Sequence, residues 1–187
     1  MIVVAIIGIL AAVAIPGFMS YIRSSKTSEA KTNLDAVRKG ALSFFEAEHY
    51  DATGMKSITK QYPDLGGAAS TATAVGDNST VGFKNDPTAT ATVNTLNAAP
   101  WNLLNFKISA PFYYKYSYDA ISSLTNGKVT DTSTQAASRF MAGACASLSE
   151  ANDSGYTITG LSTGSVGATV EAGSLGTCPT VTAPASD

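Results

Sequence analysis

The sequence has few of the residues on which catalysis and metal binding usually depend. Its 187 residues include one histidine and two cysteines, and only 14% of the residues are charged. One histidine leaves little scope for a metal site or for acid–base catalysis near neutral pH, and there is no phosphate-binding P-loop, CxxC or HExxH motif. A formal net charge of −2 is too small for electrostatic capture of nucleic acid. We therefore expect no enzyme, no catalytic or metal-binding residues, no cofactor and no nucleic-acid partner.

Charge is also missing from the start of the chain, since no charged side chain precedes Arg23. A helix over residues 1–22 would be about 33 Å long at ~1.5 Å per residue, which matches the roughly 30 Å hydrocarbon thickness of a bilayer. A cleaved signal peptide would begin with basic residues and have a shorter apolar core. A helix buried inside a soluble core is the other alternative. We interpret residues 1–22 as an apolar assembly or transmembrane helix.

The next segment, residues 23–50, has the pattern of an amphipathic half-helix packed on the head. No glycine or proline lies between Tyr21 and Lys39, so the two segments predict one helix of nearly 50 residues, about 75 Å long. Apolar residues spaced 4, 3, 4 and 3 form one stripe along it. They are Ala30, Leu34, Val37, Ala41 and Phe44, of which the last four are the predicted helix–sheet contacts.

The N-terminal part of the chain carries a family resemblance. The first 34 residues read MIVVAIIGILAAVAIPGFMSYIRSSKTSEAKTNL and closely resemble the N-terminal helix of bacterial type IV pilins. The resemblance extends over about 50 residues and depends on the positions of Gly8 and Pro16, the AAVAIP stretch and the amphipathic continuation. In that family a leader is removed and the mature N-terminus is a methylated Phe; those residues do not precede Met1 in this sequence.

The resemblance implies a structural subunit, of the type IVa major-pilin kind, that polymerises into an extracellular filament for twitching motility, surface adhesion or uptake. Its partners would be other copies of itself, the inner membrane before assembly, and the pilus assembly machinery. In the filament the helix would unwind locally between Gly8 and Pro16. The filament core would be built from Ile2, Val3, Ile6, Ile7, Ile9, Leu10, Val13 and Ile15.

Three other functions remain open at this stage. The chain could be a minor pilin, or a pseudopilin of type II secretion. It could also be a non-polymerising protein with a single membrane anchor, whose head binds a ligand.

The remainder of the chain predicts a head in which strands follow a long connection. PFYYKYSYD alternates, with Phe112, Tyr114, Tyr116 and Tyr118 on one face. Further strands are predicted over 138–147 and 155–161, the latter preceded by a polar turn at 152–155. We therefore expect an α+β pilin fold, with an antiparallel sheet of three or four strands within 108–187 packed on the half-helix. Residues 51–107 form the variable connection, for which we expect short helices or irregular β-structure.

The two cysteines, Cys145 and Cys178, suggest a disulfide because their number is even and the family is exported. The arrangement resembles the disulfide-bounded C-terminal loop of many pilins. Two unpaired buried thiols are the alternative.

Overall fold

The computed structural model describes most of the helix and sheet and leaves several connections undescribed. The described residues are 2–50, 57–58, 60–63, 73–77, 82–121, 124–125, 128–129, 139–149, 152–160 and 166–169.

The chain begins with one uninterrupted helix. Helix α1 spans Ile2–Glu46, 45 residues, and is therefore about 68 Å long. It passes through Pro16, which removes one backbone donor but leaves the hydrogen bonds of the neighbouring turns in place. The long N-terminal helix predicted from the sequence is confirmed. It ends at Glu46 because the chain then turns into strand β1 (His49–Tyr50), which pairs with β2 (Ser57–Ile58).

An antiparallel sheet packs against the second half of α1. Among the described residues it has five strands in the order β3-β4-β7-β8-β9, while β5 and β6 pair with each other in a separate hairpin. The α+β class is confirmed, with one strand more than the largest number expected. The strands after β2 are β3 (Thr73–Val75), β4 (Lys115–Ile121), β5 (Leu124–Thr125), β6 (Lys128–Val129), β7 (Arg139–Ser149), β8 (Asn152–Gly160) and β9 (Val166–Thr169).

The additional strand comes from the connecting region. β3 pairs antiparallel with the edge of β4, with Ala74 opposite Ser117. The sheet therefore does not begin at residue 108, as the sequence suggested. A three-residue strand is too short to show alternation, and only the free edge of β4 makes it a strand.

The hairpin of β7 and β8 corrects one predicted turn. Residues 152–155 have turn composition, yet β8 begins at Asn152, and Ser154 is opposite Ala146. β7 is 11 residues long and ends at Ser149, so it offers backbone partners for two residues beyond the predicted strand end at 147. Pairing along this edge prevails over the local turn preference of Asn, Asp, Ser and Gly.

The core lies between α1 and the sheet. Ala30, Leu34, Val37 and Ala41 are buried along one face of the helix, but the stripe ends on Phe45 rather than on Phe44, which is half-buried. Both positions lie near the stripe at 3.6 residues per turn. The choice is made by packing, since the Phe45 ring stacks on Tyr62 with centroids 4.6 Å apart.

Aromatic rings fill the rest of the core. The alternation of Phe112, Tyr114, Tyr116 and Tyr118 is reproduced, since all four side chains are buried. A short helix, α2 (Thr90–Asn97), and the turns after it bring Trp101 to within 5.3 Å of the Phe106 ring and 6.1 Å of the Tyr118 ring, measured between centroids.

Candidate assembly surface

The first half of α1 is apolar and unsupported by the rest of the chain. Along Ile2–Tyr21 the side chains that the structure describes are exposed, with the exception of the half-buried Ala11; Ile2 is 78% and Val13 76% accessible. Residues 2–22 contain no charge. This helix is long and apolar enough to cross a membrane, and none of its apolar window is covered by the head. Apolar surface on this scale requires lipid or other protein to cover it.

The exposed half includes every residue predicted for the filament core. Ile2, Val3, Ile6, Ile7, Ile9, Leu10, Val13 and Ile15 are all exposed. They lie around the whole circumference of the helix rather than on one stripe, so several neighbours could contact it at once. The surface can bury itself in lipid or in a bundle of similar helices.

The head is attached directly to the end of this apolar half by polar contacts. The carboxylate of Glu29 accepts a hydrogen bond from the backbone N–H of Tyr113 at 3.0 Å and one from the hydroxyl of Tyr116 at 3.2 Å. The amide of Asn33 donates to the Tyr116 hydroxyl at 2.7 Å. Burial, with the nearby Glu29 carboxylate, holds the pKa of Tyr116 above its ordinary value of 10.0. These bonds fix the height of the sheet along α1, as sliding the sheet would break them together.

The outer face of the second half of α1 carries an ion-pair cluster. Asp35 lies 2.7 Å from Arg38 and 3.0 Å from Lys39, measured between the charged atoms. Hydrogen bonds from Lys39 and Arg38 lower the pKa of the Asp35 carboxyl. The charges face solvent, so the cluster adds little to stability but keeps this face of the helix polar.

Comparison with known proteins finds two curated proteins that are similar to part of the chain. The chain is 61% identical over 51 residues to the type IV major pilin protein PilA of Myxococcus xanthus (strain DK1622). It is 39% identical over 69 residues to a fimbrial protein of Moraxella nonliquefaciens. Part of the chain is therefore similar to a type IV major pilin and to a fimbrial protein. The matches cover 27% and 33% of this chain and 23% and 45% of the two relatives, so the chain spans less than half the length of either. No family model and no solved structure matches the chain.

Two glycines of α1, Gly8 and Gly40, have different environments. A Cβ placed on Gly8 would meet nothing within 4 Å, whereas one on Gly40 would overlap the carbonyl oxygen of Leu104. Gly40 is therefore needed for the close approach of the 101–105 turn to α1. No contact with the described residues requires Gly8.

Cys145 lies in β7 and is disulfide-bonded. No described cysteine is free. The sequence holds one other cysteine, Cys178, which lies outside the described residues. β7 is the central strand of the five-stranded sheet, so a bond from Cys145 ties another part of the chain to this strand.

One sequence match to an enzyme motif is explained by the sheet. Residues 160–164 read GLSTG and fit the GxSxG pattern of serine hydrolases, in which the serine sits on a turn from a strand into a helix. Here Gly160 ends β8 and pairs with Val166 of β9. Gly160 is thus the only motif residue in a described strand, and residues 161–164 lie outside the described residues. In the described part of the chain, no three His, Cys, Asp or Glu residues are grouped as a metal site.

Sequence reasoning missed the residues that join helix and head. Glu29 and Asn33 look like ordinary polar positions of an amphipathic helix, and Tyr62 stands in a segment with no strand or helix pattern. One signal was available: Glu29 and Asn33 are spaced four apart beside the buried Ala30 and Leu34, so they border the packed face.

Proposed function

We propose that this chain is a structural, non-enzymatic subunit that polymerises into an extracellular type IV pilus filament. The observation that carries the proposal is the uncharged, exposed half of α1, attached without a linker to a folded head. A contact between copies that repeats along an axis without closing gives an open filament. The apolar half-helices would form the filament core and the sheet heads its outer surface.

Before assembly the same half-helix would hold the subunit in the inner membrane. Residues 2–22 would extend about 32 Å, enough for a bilayer core. Lipid tails are about as apolar as leucine, so transfer from lipid into a bundle of identical helices costs little when no charge is moved. Reversible exchange between membrane and filament by the pilus assembly machinery is compatible with such a surface. Twitching motility, adhesion and uptake are the roles that the filament would serve.

Local unwinding between Gly8 and Pro16 is part of the proposed filament state. α1 is unbroken in the single chain, but a glycine costs about 1 kcal/mol relative to alanine and a proline about 3 kcal/mol in a helix interior. Neighbouring subunits would have to satisfy or shield the released backbone groups. A filament reconstruction with an unbroken helix over 2–46 would refute the unwinding.

We also propose that Cys178 is the partner of Cys145. Support comes from the bonded state of Cys145 and from the cysteine count of two. Alkylation without reduction, followed by intact-mass analysis, should label neither cysteine. Labelling of both would overturn the pairing.

Electron microscopy of sheared surface material from cells that express this chain as their sole pilin tests the main proposal. The wild type should yield filaments that contain the chain. Val13→Asp should abolish them, because a charge would have to enter an apolar core, and Val13→Ala should not. Val13 contacts no part of the head, so the variant head should stay folded.

Two results would contradict the filament. Normal filaments from Val13→Asp would show that the apolar half is not in the core. Membrane-embedded wild-type subunits without filaments, on cells with a working assembly machinery, would favour an anchored binding protein instead.

A further inference from the structure

If the first half of α1 is anchored in a membrane, the distance between the head and that membrane is fixed. α1 runs unbroken from the apolar half into the head, and the first charge of the sequence, Arg23, follows Ile22. If Ile22 marks the edge of the hydrocarbon, Lys26 stands about 6 Å and Glu29 about 10 Å beyond it. The headgroup layer is roughly 5 to 8 Å thick on each side. With α1 upright and anchored at that level, the lower end of the head would lie in the headgroup layer.

Two lysines meet at one aromatic ring at this end. The Nζ atom of Lys26 lies 4.4 Å, and that of Lys84 5.5 Å, from the centroid of the Tyr113 ring. One lysine comes from α1 and the other from the loop that precedes α2. Phe83, next to Lys84, is 43% exposed. Basic and aromatic side chains are the combination that membrane interfaces favour.

The two lysines are available for an external anion. Among the described residues the salt bridges are those of Asp35 and Glu46, so neither Lys26 nor Lys84 has a carboxylate partner. The nearby Glu29 carboxylate accepts hydrogen bonds from Tyr113 and Tyr116 and is thus directed towards the head. Asp153 is in register with Ser147 at the same end of the sheet; the paired lysines, rather than the net charge of that end, would supply the affinity.

We propose that this basal patch, formed by Lys26, Phe83, Lys84 and Tyr113, docks the head on the phosphate headgroups of anionic phospholipids. The docking rests on the membrane anchoring proposed above. It gives the unassembled subunit a fixed face towards the bilayer, because one lysine lies on the helix and the other on the head. Incorporation into the filament would require the patch to leave its lipids.

Amine labelling of the full chain in vesicles tests the docking. The chain is inserted with its head outside, into vesicles of phosphatidylcholine or of phosphatidylcholine with one quarter phosphatidylglycerol, and acylated lysines are quantified by mass spectrometry. Lys39 is the internal control, since it is 70% exposed and about 25 Å beyond Ile22 along the helix. Labelling of Lys26 and Lys84 should fall several-fold in the anionic vesicles while that of Lys39 stays constant. Salt at 1 M, where the Debye length is about 3 Å, should restore it.

Lipid enrichment provides the second measurement. The amount of phosphatidylglycerol that co-purifies with the chain should fall about fivefold for each lysine removed in Lys26→Gln and Lys84→Gln. Lys39→Gln should leave it unchanged. The fluorescence of the single tryptophan, Trp101, checks that each variant head is folded.

Three outcomes would overturn the proposal, each in a different way. Equal labelling in both vesicles, for a chain that resists alkaline carbonate extraction, would refute the docking and leave the anchoring intact. Extraction by carbonate would refute the anchoring and the docking with it. Equal protection by inorganic phosphate in neutral vesicles would show that the patch binds free phosphate rather than lipid.

Discussion

The two halves of α1 belong to one helix, but their apolar surfaces are buried by different partners. Residues 2–22 are apolar on all sides, and their described side chains are exposed apart from the half-buried Ala11 and Ile22. Residues 23–46 are apolar on one stripe only, which the chain's own sheet buries. Helix formation is common to both halves, so the difference lies in the distribution of charge around the helix. A uniform apolar surface is suited to lipid and to other copies, whereas a stripe is suited to one sheet.

The same contrast holds for single residues. Substitution by aspartate, or the addition of a methyl group, should destabilise the head only in the second half of α1, where the sheet and the 101–105 turn contact the helix. In the first half, both changes should leave the isolated subunit folded but should weaken the filament. Urea unfolding of the full chain in mild detergent, followed by Trp101 fluorescence, measures the head because Trp101 is buried in its core.

The largest effect is expected from Leu34→Asp. Leu34 is buried between α1 and the sheet, and an unpaired charge there should lower the free energy of unfolding by about 3 to 5 kcal/mol. Val13→Asp on the exposed half should change it by less than about 0.5 kcal/mol. Equal midpoints for the two variants would contradict the helix-on-sheet packing.

Gly40→Ala should come next, at about 2 kcal/mol. The added Cβ would overlap a backbone carbonyl at Leu104, which cannot move as a flexible side chain would. Gly8→Ala is the matched control in the same helix and should leave the head unchanged while adding about 1 kcal/mol of helix stability. A Gly40→Ala variant as stable as the wild type would show that the turn can retreat from α1.

Tyr116→Phe should cost about 1 kcal/mol at neutral pH, because the bonds with Asn33 and Glu29 are lost. It should also change the pH dependence. The folded-state pKa of Tyr116 lies above its ordinary value of 10.0, so its contribution is complete below pH 10 and is lost as the pH rises further.

The measurement is the slope of the free energy of unfolding against pH above pH 10. Burial also raises the pKa of Tyr62 to about 12, so the wild type should lose stability above pH 10 through both groups. Tyr116→Phe should lose the Tyr116 part of this decline, keep the Tyr62 part and give a shallower slope. Identical slopes would show that Tyr116 does not titrate with unfolding.

The smallest effect is expected from Asp35→Asn, at about 0.5 kcal/mol, since its partners Arg38 and Lys39 are on the surface. The folded-state pKa of Asp35 is lowered from 3.8. Its contribution is therefore present above that pH and is lost on acidification through the folded-state value. High salt should remove the stability difference between this variant and the wild type. The difference would persist in high salt if the ion pair were buried.

Patterns with a clear period were readable from the sequence. The uncharged run fixed the apolar half, and the spacing of Ala30, Leu34, Val37 and Ala41 gave the buried stripe. The alternation from Phe112 to Tyr118 gave the core face of β4. Features without a periodic pattern could not be predicted. β3 is only three residues long, and the burial of Phe45 rather than Phe44 depends on Tyr62. The start of β8 at Asn152 depends on the length of β7.

The candidate site divides in the same way. The exposed half-helix follows from composition alone, because 22 residues without a charge give a uniform apolar surface in any helix. The basal patch does not, as Lys26, Lys84 and Tyr113 are remote in sequence. Only the sheet brings them together around one ring.

By itself, the sequence determined that this protein has a long helix with an apolar and an amphipathic half, because helical period and charge distribution are local properties. The tertiary structure decided where the head sits on that helix, through Glu29 and Asn33 on the tyrosines of β4 and through Gly40 against Leu104. Those contacts join residues 60 or more positions apart. No local preference encodes them, since each depends on the packing of a surface that exists only after the sheet has formed.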